Sequence, residues 1–294
     1  MVGTAAFLKG FSTFKTTTAT VSTENNQAAA RLSNNDILAQ LTDDKRSTLW
    51  LGRYSENEVL RLLEHFDILP ALKAKGCAHP LIIIEPLAAF EQALKIFNAA
   101  AAAEKLFAEF RLREVSFSHP RLAAGAPLPM LKIEWLMLQN PAAVFSAERP
   151  PMPGQRRPGL GFGKRALQLL VHLARQNHLS GVLNFPEFFH NAFLYLESFW
   201  YCNPQLKGIV LALRRDFHQL TLAELSWAIY LGCVIEAQTG KIYEWQADAL
   251  VLPLDEKIKR CFSPPEYEQA VYQAMADSAF VLNRQKFEKF LLDS

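Results

Sequence analysis

The residues best suited to bind a ligand form a glycine-rich segment in the middle of the chain. It reads Arg156-Arg157-Pro158-Gly159-Leu160-Gly161-Phe162-Gly163 and precedes a helical pattern. Glycines at alternate positions let the backbone approach a ligand and turn its N–H groups outward, and the start of a helix adds partial positive charge. This chemistry suits a pyrophosphate or another anion.

The charges near this segment also favour an anion. Between Glu148 and Glu187 there is no acidic residue but there are six basic ones. They are Arg149, Arg156, Arg157, Lys164, Arg165 and Arg175. The whole chain is balanced, with 31 Lys and Arg against 29 Asp and Glu. A local excess of positive charge is what a phosphate site needs, whereas the overall balance argues against nucleic acid as a partner.

Two familiar glycine motifs do not fit the segment. A P-loop needs Gly-x-x-x-x-Gly-Lys-Ser/Thr, but Pro158 stands where its first glycine belongs and Arg165 follows Lys164. A dinucleotide fingerprint that starts at Gly159 would need its third glycine at Lys164. The segment therefore belongs to a different class of anion site.

Regular elements on both sides must position the segment. LKIEWLML, residues 131–138, predicts a strand with Ile133, Trp135 and Met137 on one face. KRALQLLVHLARQN, residues 164–177, predicts an amphipathic helix. The residues between these elements have a loop composition. VLNF then predicts a short strand, and residues 186–201 predict an aromatic helix.

The rest of the chain divides around these elements. We predict a flexible tail over residues 1–35, with a cleaved targeting peptide as the alternative, and a helical region over 36–78. That region includes a helix that begins at Ser55 and ends at Gly76, with Ser55 and Glu58 forming a capping box at its start. A core domain over 79–215 and a strand–helix extension over 216–294 follow. Further strands are predicted over residues 79–86, 90–98, 105–118, 208–217 and parts of 233–254, with a turn at Thr239-Gly240. Further helices are predicted over residues 222–232 and 265–292.

The composition limits the class of protein. Half of the 294 residues are hydrophobic, enough for a real core, and no apolar run approaches the ~20 residues of a membrane span. The four cysteines lie far apart, which argues against a zinc ribbon or a disulfide scaffold. We expect a soluble, cytoplasmic α/β (α+β) protein with a mixed, mostly antiparallel sheet flanked by helices, and leave self-association into a homo-oligomer open.

Arg156-x-x-Gly159-x-Gly161, between a strand and a helix, resembles the acyl-CoA pyrophosphate loop of the GNAT acyltransferase superfamily, Gln/Arg-x-x-Gly-x-Gly/Ala. In that superfamily a strand with backbone groups for the acyl carbonyl precedes the loop, as residues 131–138 do here. A strand follows the helix, as VLNF does. A further helix then has an Asn/Ala-rich start and a tyrosine, as Asn191 and Tyr195 provide here. The resemblance spans about residues 80–215.

The resemblance implies acyl transfer from acetyl-CoA or another acyl-CoA to a small or hydrophobic acceptor. Main-chain N–H groups of Gly159, Leu160, Gly161, Phe162 and Gly163 would hold the pyrophosphate, with Arg156, Arg157 and Lys164 as nearby cations. Donors at Leu136 and Leu138 would polarise the thioester carbonyl. Glu134 is the candidate base, and Tyr195 the candidate acid for the leaving thiolate. His190 and Asn191 would contact the acceptor.

Other interpretations of the same residues stay open. Glu134 fits a solvent-facing strand carboxylate, and Tyr195 fits core packing. The long proline-rich connection over residues 140–155 favours a non-catalytic protein that binds CoA or another phosphate ligand or has a regulatory role. An arginine-rich loop could also bind an acidic partner. Glu187-x-x-His190 has the spacing of a di-iron ligand pair but occurs once, so we predict no metal site.

Overall fold

The computed structural model describes residues 49–293, apart from 89–90 and 123–124. The predicted tail and the first part of the predicted helical region lie outside the described residues. The helices are α1 Glu56–His65, α2 Ile68–Ala74, α3 Gly163–Gln176, α4 Phe189–Leu194, α5 Pro204–Asp216, α6 Leu222–Tyr230, α7 Glu256–Arg260, α8 Pro265–Asp277 and α9 Arg284–Asp293. The strands are β1 Pro80–Ala88, β2 Glu91–Asn98, β3 Leu106–Phe117, β4 Leu128–Leu138, β5 Gly181–Asn184, β6 Trp200–Tyr201, β7 Val234–Glu236, β8 Leu250–Pro253 and β9 Phe280–Leu282.

A seven-stranded mixed sheet organises the molecule. Its strand order is β1-β2-β3-β4-β5-β8-β6, and β7 pairs with β9 in a separate two-stranded sheet. Neighbouring strands of the large sheet are antiparallel except β4 and β5, which are parallel. The predicted fold class, a mixed and mostly antiparallel sheet flanked by helices, is confirmed.

Helix α3 makes the crossover between the two parallel strands. It buries one stripe of apolar side chains, which belong to the main core. These are Ala166, Leu169, Leu170, Leu173 and Ala174. A strand that continues in parallel after a crossover needs such an element to cover the sheet. The glycine-rich segment ends where this helix begins.

Two helices, α1 and α2, stand where the sequence predicts a single helix from Ser55 to Gly76, and a turn separates them. Ser55 and Glu58 make the predicted capping box at the start of α1. Asp67 has the left-handed φ of 53°, which breaks the helix between α1 and α2. Gly76, with φ of 95°, follows the end of α2 as predicted.

A β-bulge in β4 changes the face of the sheet on which its side chains lie, so the predicted assignment of faces is wrong. Arg111 of β3 pairs with Trp135 and Leu112 pairs with Ile133, so Glu134 is an extra residue. An extra residue shifts the alternation of side chains by one. Trp135 is therefore 43% exposed, although the simple alternation places it with the buried Ile133.

Two further predictions are wrong in the C-terminal third. Residues 208–216 of the segment predicted as a strand belong to α5, and Phe217 follows its last turn; Asn203 caps the first turn of this helix and Pro204 is its first residue. The pattern of buried residues at Leu206, Val210 and Leu213 follows a helical period. The single closing helix over 265–292 is divided into α8, β9 and α9.

The segment predicted as an extension contributes to the central sheet. Strand β8 lies between β5 and β6 and pairs with both. The close fit leaves no room for a side chain at Gly181, because a Cβ there would lie 2.6 Å from the carbonyl oxygen of Leu252. Among the described residues, no helix is both long and apolar enough to cross a bilayer.

Candidate functional site

The glycine-rich segment is fastened to the end of β4 by backbone hydrogen bonds. The amide of Leu160 donates to the carbonyl oxygen of Leu138 at 3.2 Å, and the amide of Asn140 donates to that of Pro158 at 2.7 Å. The side chains of Leu160 and Phe162 are buried in the main core. These contacts fix the backbone of the segment on β4 just before α3 begins.

The amides at the start of α3 are left without acceptors. No described residue accepts a hydrogen bond from the N–H of Gly161, Phe162 or Gly163, and no side chain caps this helix. Gly161 and Gly163 are exposed. Gly161 has a φ of 79°, a conformation that strongly favours glycine. The segment thus presents unpaired donors at the positive end of a helix, where an anion is stabilised.

Basic residues lie beside these amides in the sequence. Arg156 and Arg157 are exposed and form no ion pair or hydrogen bond with a described residue. Lys164 is also exposed. Arg149 has a different role, because its Nη2 donates to the carbonyl oxygen of Gly159 at 3.1 Å and supports the segment.

Strands β4 and β5 separate next to the segment. Their pairing ends at Ile133 and Asn184, whereas β4 continues to Leu138. The amide of Gln139 donates to Phe107 of β3, so in the alternating pattern the N–H groups of Leu136 and Leu138 point toward the β5 side. Neither amide donates to a described residue. The edge of β4 that faces β5 therefore has two backbone N–H groups without a described acceptor, and the glycine-rich segment pairs with the same edge at its end, next to Leu138.

Glu134 lies at the bulge of β4, beside two cations. Its carboxylate is 2.7 Å from Nζ of Lys132 and 2.6 Å from Nη2 of Arg113. Burial raises the pKa of Glu134, but hydrogen bonds and charge from Lys132, and then from Arg113, outweigh it and lower the pKa below its usual value. The side chain is ionised at neutral pH but is a weak base.

Tyr195 follows the last residue of α4 and packs against Phe199, with ring centroids 4.9 Å apart. Burial raises the pKa of its hydroxyl, so the group keeps its proton at neutral pH. The hydroxyl forms no hydrogen bond with a described residue. It is a protonated donor without a partner, and it stays a candidate acid.

His190 lines a cavity of about 540 Å³ beyond the carboxyl end of β5. The side chain is 3% exposed, and no described residue bonds to its Nδ1. Burial lowers the pKa of His190 to about 4, so the ring is neutral at pH 7. Asn191 follows it on α4, is half-buried, and is not among the residues that line this cavity.

The sequence gives no signal for most of this cavity. Its wall combines the start of α4 with Pro153, the end of α6 and residues 242–245. Because these pieces are up to 92 residues apart, only the folded chain brings them together. Of this wall, sequence reasoning singled out the Glu187-x-x-His190 spacing and the aromatic residues near it, since both lie within one short segment.

The described residues contain no group of three or more His, Cys, Asp and Glu side chains that could hold a metal ion. Glu187, His190 and Glu244 all line the cavity, but they do not form such a group. In the comparisons with known proteins, no family model matches the chain and no curated protein matches it.

Proposed function

We propose that the protein binds an acyl-CoA and transfers its acyl group to a small or hydrophobic acceptor, as the resemblance to the GNAT superfamily implies. One observation carries the proposal: the amides of Gly161, Phe162 and Gly163 have no described acceptor, and the segment that holds them is attached to the end of β4, beyond the point where β4 stops pairing with β5. The order strand, glycine loop, helix and strand in β4, α3 and β5 is the order that the resemblance requires.

The donor would be held mainly by backbone groups. The pyrophosphate would receive hydrogen bonds from the amides at the start of α3, and Arg156 and Arg157 would add charge. The acyl chain would then lie in the gap between the strands. There the N–H of Leu136, or that of Leu138, would donate to the thioester oxygen as negative charge develops on it.

The chemical step would be direct attack by the acceptor nitrogen or oxygen on the thioester carbon. Glu134 would take the acceptor's proton, directly or through water. The carbon–sulfur bond would break as the acyl bond forms, and Tyr195 would donate its proton to the leaving thiolate. The four cysteines are free thiols and do not belong to this scheme; they fit the proposed cytoplasmic location.

A non-catalytic acyl-CoA-binding protein is the second candidate. The ion pairs of Glu134 with Lys132 and Arg113 favour it, because they reduce the basicity that proton abstraction needs. Both candidates use the same donor site. They differ only in whether an acyl group leaves the thioester.

Thermal unfolding with CoA ligands tests the donor site. A ligand at 100 times its Kd stabilises the native state by about 2.7 kcal/mol, which raises the Tm by roughly 5 to 10 °C in a protein of this size. Acetyl-CoA should produce this shift, and S-acetylpantetheine, which lacks the pyrophosphate, should not. Equal shifts with both ligands, or none with either, would refute the proposal.

Thiol release with a panel of amines and alcohols separates enzyme from binder. If Glu134 is the base, Glu134→Gln should reduce the rate by about 100-fold or more while the acetyl-CoA shift remains. Glu114→Gln is the matched control, because it removes another ion-paired strand carboxylate, the partner of Arg53. A protein that binds acetyl-CoA but releases no thiol with any acceptor is the binder.

A further inference from the structure

The cavity beside His190 has a chemical character that the acyl-donor site does not explain. It is lined by Glu187, Glu244, His190 and several aromatic side chains, and no lysine or arginine of the described part of the chain lines it. We propose that it binds an organic cation: a protonated amine carried on an apolar or aromatic body.

The charge of the lining favours a cation. Glu187 and Glu244 are exposed and form no ion pair with a described residue. Lys286 lies at the edge of the cavity, because its Nζ donates to the carbonyl oxygen of the lining residue Gly232 at 3.2 Å. That ammonium keeps its charge and two further N–H groups, so it offsets part of the negative charge at the edge of the cavity. Two carboxylates against one ammonium leave the cavity with a net negative charge, which favours a positively charged ligand.

His190 is the independent observation that points to a ligand. A buried polar atom without a hydrogen bond costs about 1–3 kcal/mol, so native proteins rarely keep one. Nδ1 of His190 has no partner, and its ring stacks on Phe188 with centroids 5.5 Å apart. A neutral imidazole has one nitrogen lone pair that accepts a hydrogen bond. Nδ1 itself is shielded from solvent, so the ring nitrogen that a ligand in the cavity reaches is Nε2, which also has no hydrogen bond to a described residue. In the tautomer that carries the proton on Nδ1, Nε2 accepts a hydrogen bond from an ammonium N–H.

The aromatic walls suit the body of such a ligand. Phe188 and Tyr230 have ring centroids 6.1 Å apart, and Trp245 is held in place by a hydrogen bond from Nε1 to the carbonyl oxygen of Pro186 at 3.0 Å. Cations and apolar groups both bind favourably on aromatic faces. A cavity of about 540 Å³ is large enough for a small organic molecule.

The binding site stands on these contacts alone. If the proposed acyl transfer takes place, the bound amine is also its acceptor, and that part of the inference rests on the proposed function. Titrations without any CoA ester therefore test the cavity separately from the donor loop.

Isothermal titration with three probes that share a phenylethyl group tests the ligand class. The probes are 2-phenylethylamine, 2-phenylethanol and 3-phenylpropionate, at pH 7. The amine should bind at least tenfold more tightly than the alcohol, and the carboxylate should bind most weakly. No binding of the amine, or equal binding of alcohol and amine, would overturn the proposal.

Variants of the lining identify the groups responsible. The double variant Glu187→Gln and Glu244→Gln should weaken amine binding about tenfold and leave alcohol binding unchanged. His190→Phe keeps the aromatic stack and should weaken amine binding several-fold. Glu197→Gln is the control, because Glu197 is an exposed carboxylate of the same chain segment that does not line the cavity. Amine affinity that is unaffected by both lining variants would refute the assignment.

Discussion

The donor loop and the His190 cavity are two regions that would bind opposite charges by opposite means. The loop offers exposed backbone amides at Gly161, Phe162 and Gly163 with arginines nearby. The cavity offers carboxylates and a buried imidazole among aromatic rings. A backbone site depends on conformation and tolerates changes of side chain, whereas a side-chain site depends on which residues the fold collects.

The proline-rich connection between β4 and α3 touches both regions. The Nε1 of Trp227 on α6 donates to the carbonyl oxygen of Pro151 at 2.8 Å, and Pro153 lines the cavity. The same connection continues into Arg156 and the loop. The connection therefore packs beside the cavity before it reaches the glycine-rich segment.

The largest effect should come from Gly154, where the connection meets the cavity. Gly154 has a φ of 79°, and a Cβ there would lie 2.7 Å from the ring of Phe188. Gly154→Val should reduce the free energy of unfolding by about 2–5 kcal/mol, through backbone strain and overpacking. Urea unfolding measures the loss. A loss below about 1 kcal/mol would mean that the connection does not pack on the cavity as described.

The pH dependence of stability should distinguish the cavity from the loop. Because the pKa of His190 is about 4 in the native state, below the usual 6.5, the unfolded chain binds the proton more readily between these values. Stability should fall as the pH decreases from 6.5 to 4, with up to about 3 kcal/mol due to this residue, at ~1.4 kcal/mol per pKa unit.

His190→Phe should remove that part of the acid sensitivity. The measurement is the free energy of unfolding of both proteins at pH 7 and pH 4.5, and the difference between them isolates His190 from other acidic groups. Identical pH profiles would show that His190 is accessible to protons in the folded protein. Gly161→Val should show the native pH profile, because it leaves the cavity intact.

Gly161 should show the conformational nature of the loop. Gly161→Val should cost about 1–2 kcal/mol of stability, since valine is strained at a φ of 79°, and should abolish the acetyl-CoA shift. Gly240→Val is a close control: Gly240 is exposed, has a φ of 69° and, like Gly161, has open space around its Cβ position. The control should lose similar stability and keep the full ligand shift, as thermal unfolding will show.

The smallest effect should come from the arginines of the loop. Arg156→Gln combined with Arg157→Gln should weaken acetyl-CoA binding about three- to tenfold at low ionic strength, because exposed charge pairs contribute up to about 1 kcal/mol each. The difference should shrink as salt is added. Lys257→Gln with Arg260→Gln removes two exposed charges from α7 and should leave the affinity unchanged.

The sequence was most informative where one local pattern determined the result. The capping box at Ser55, the strand over 131–138 and the helix after Gly163 each depend on neighbours within a few residues, and all are confirmed. The strand predicted over residues 208–217 was wrong, because the spacing of its apolar side chains fits the helical period as well as the strand period. Asn203 and Pro204, just outside that range, decide for a helix by capping its start.

The candidate site divides in the same way. The exposed, unpaired backbone of the glycine-rich segment could be predicted, because glycine spacing is a property of one segment. The bulge at Glu134 could not, since it depends on how β3 pairs with β4. The wall of the cavity could not be predicted either, because Glu187, Tyr230 and Glu244 meet only after α4, α6 and the chain beyond β7 have packed.

The position of β8 between β5 and β6 has a consequence for biosynthesis. Both neighbours lie some fifty residues or more upstream of β8 in the chain. During synthesis on the ribosome, β5 and β6 emerge before β8. The backbone groups that pair with β8 stay unpaired until residues near 250 have left the exit tunnel. A nascent chain paused before that point exposes a template for aggregation, so chaperone protection of this interval is expected to govern the yield of native protein.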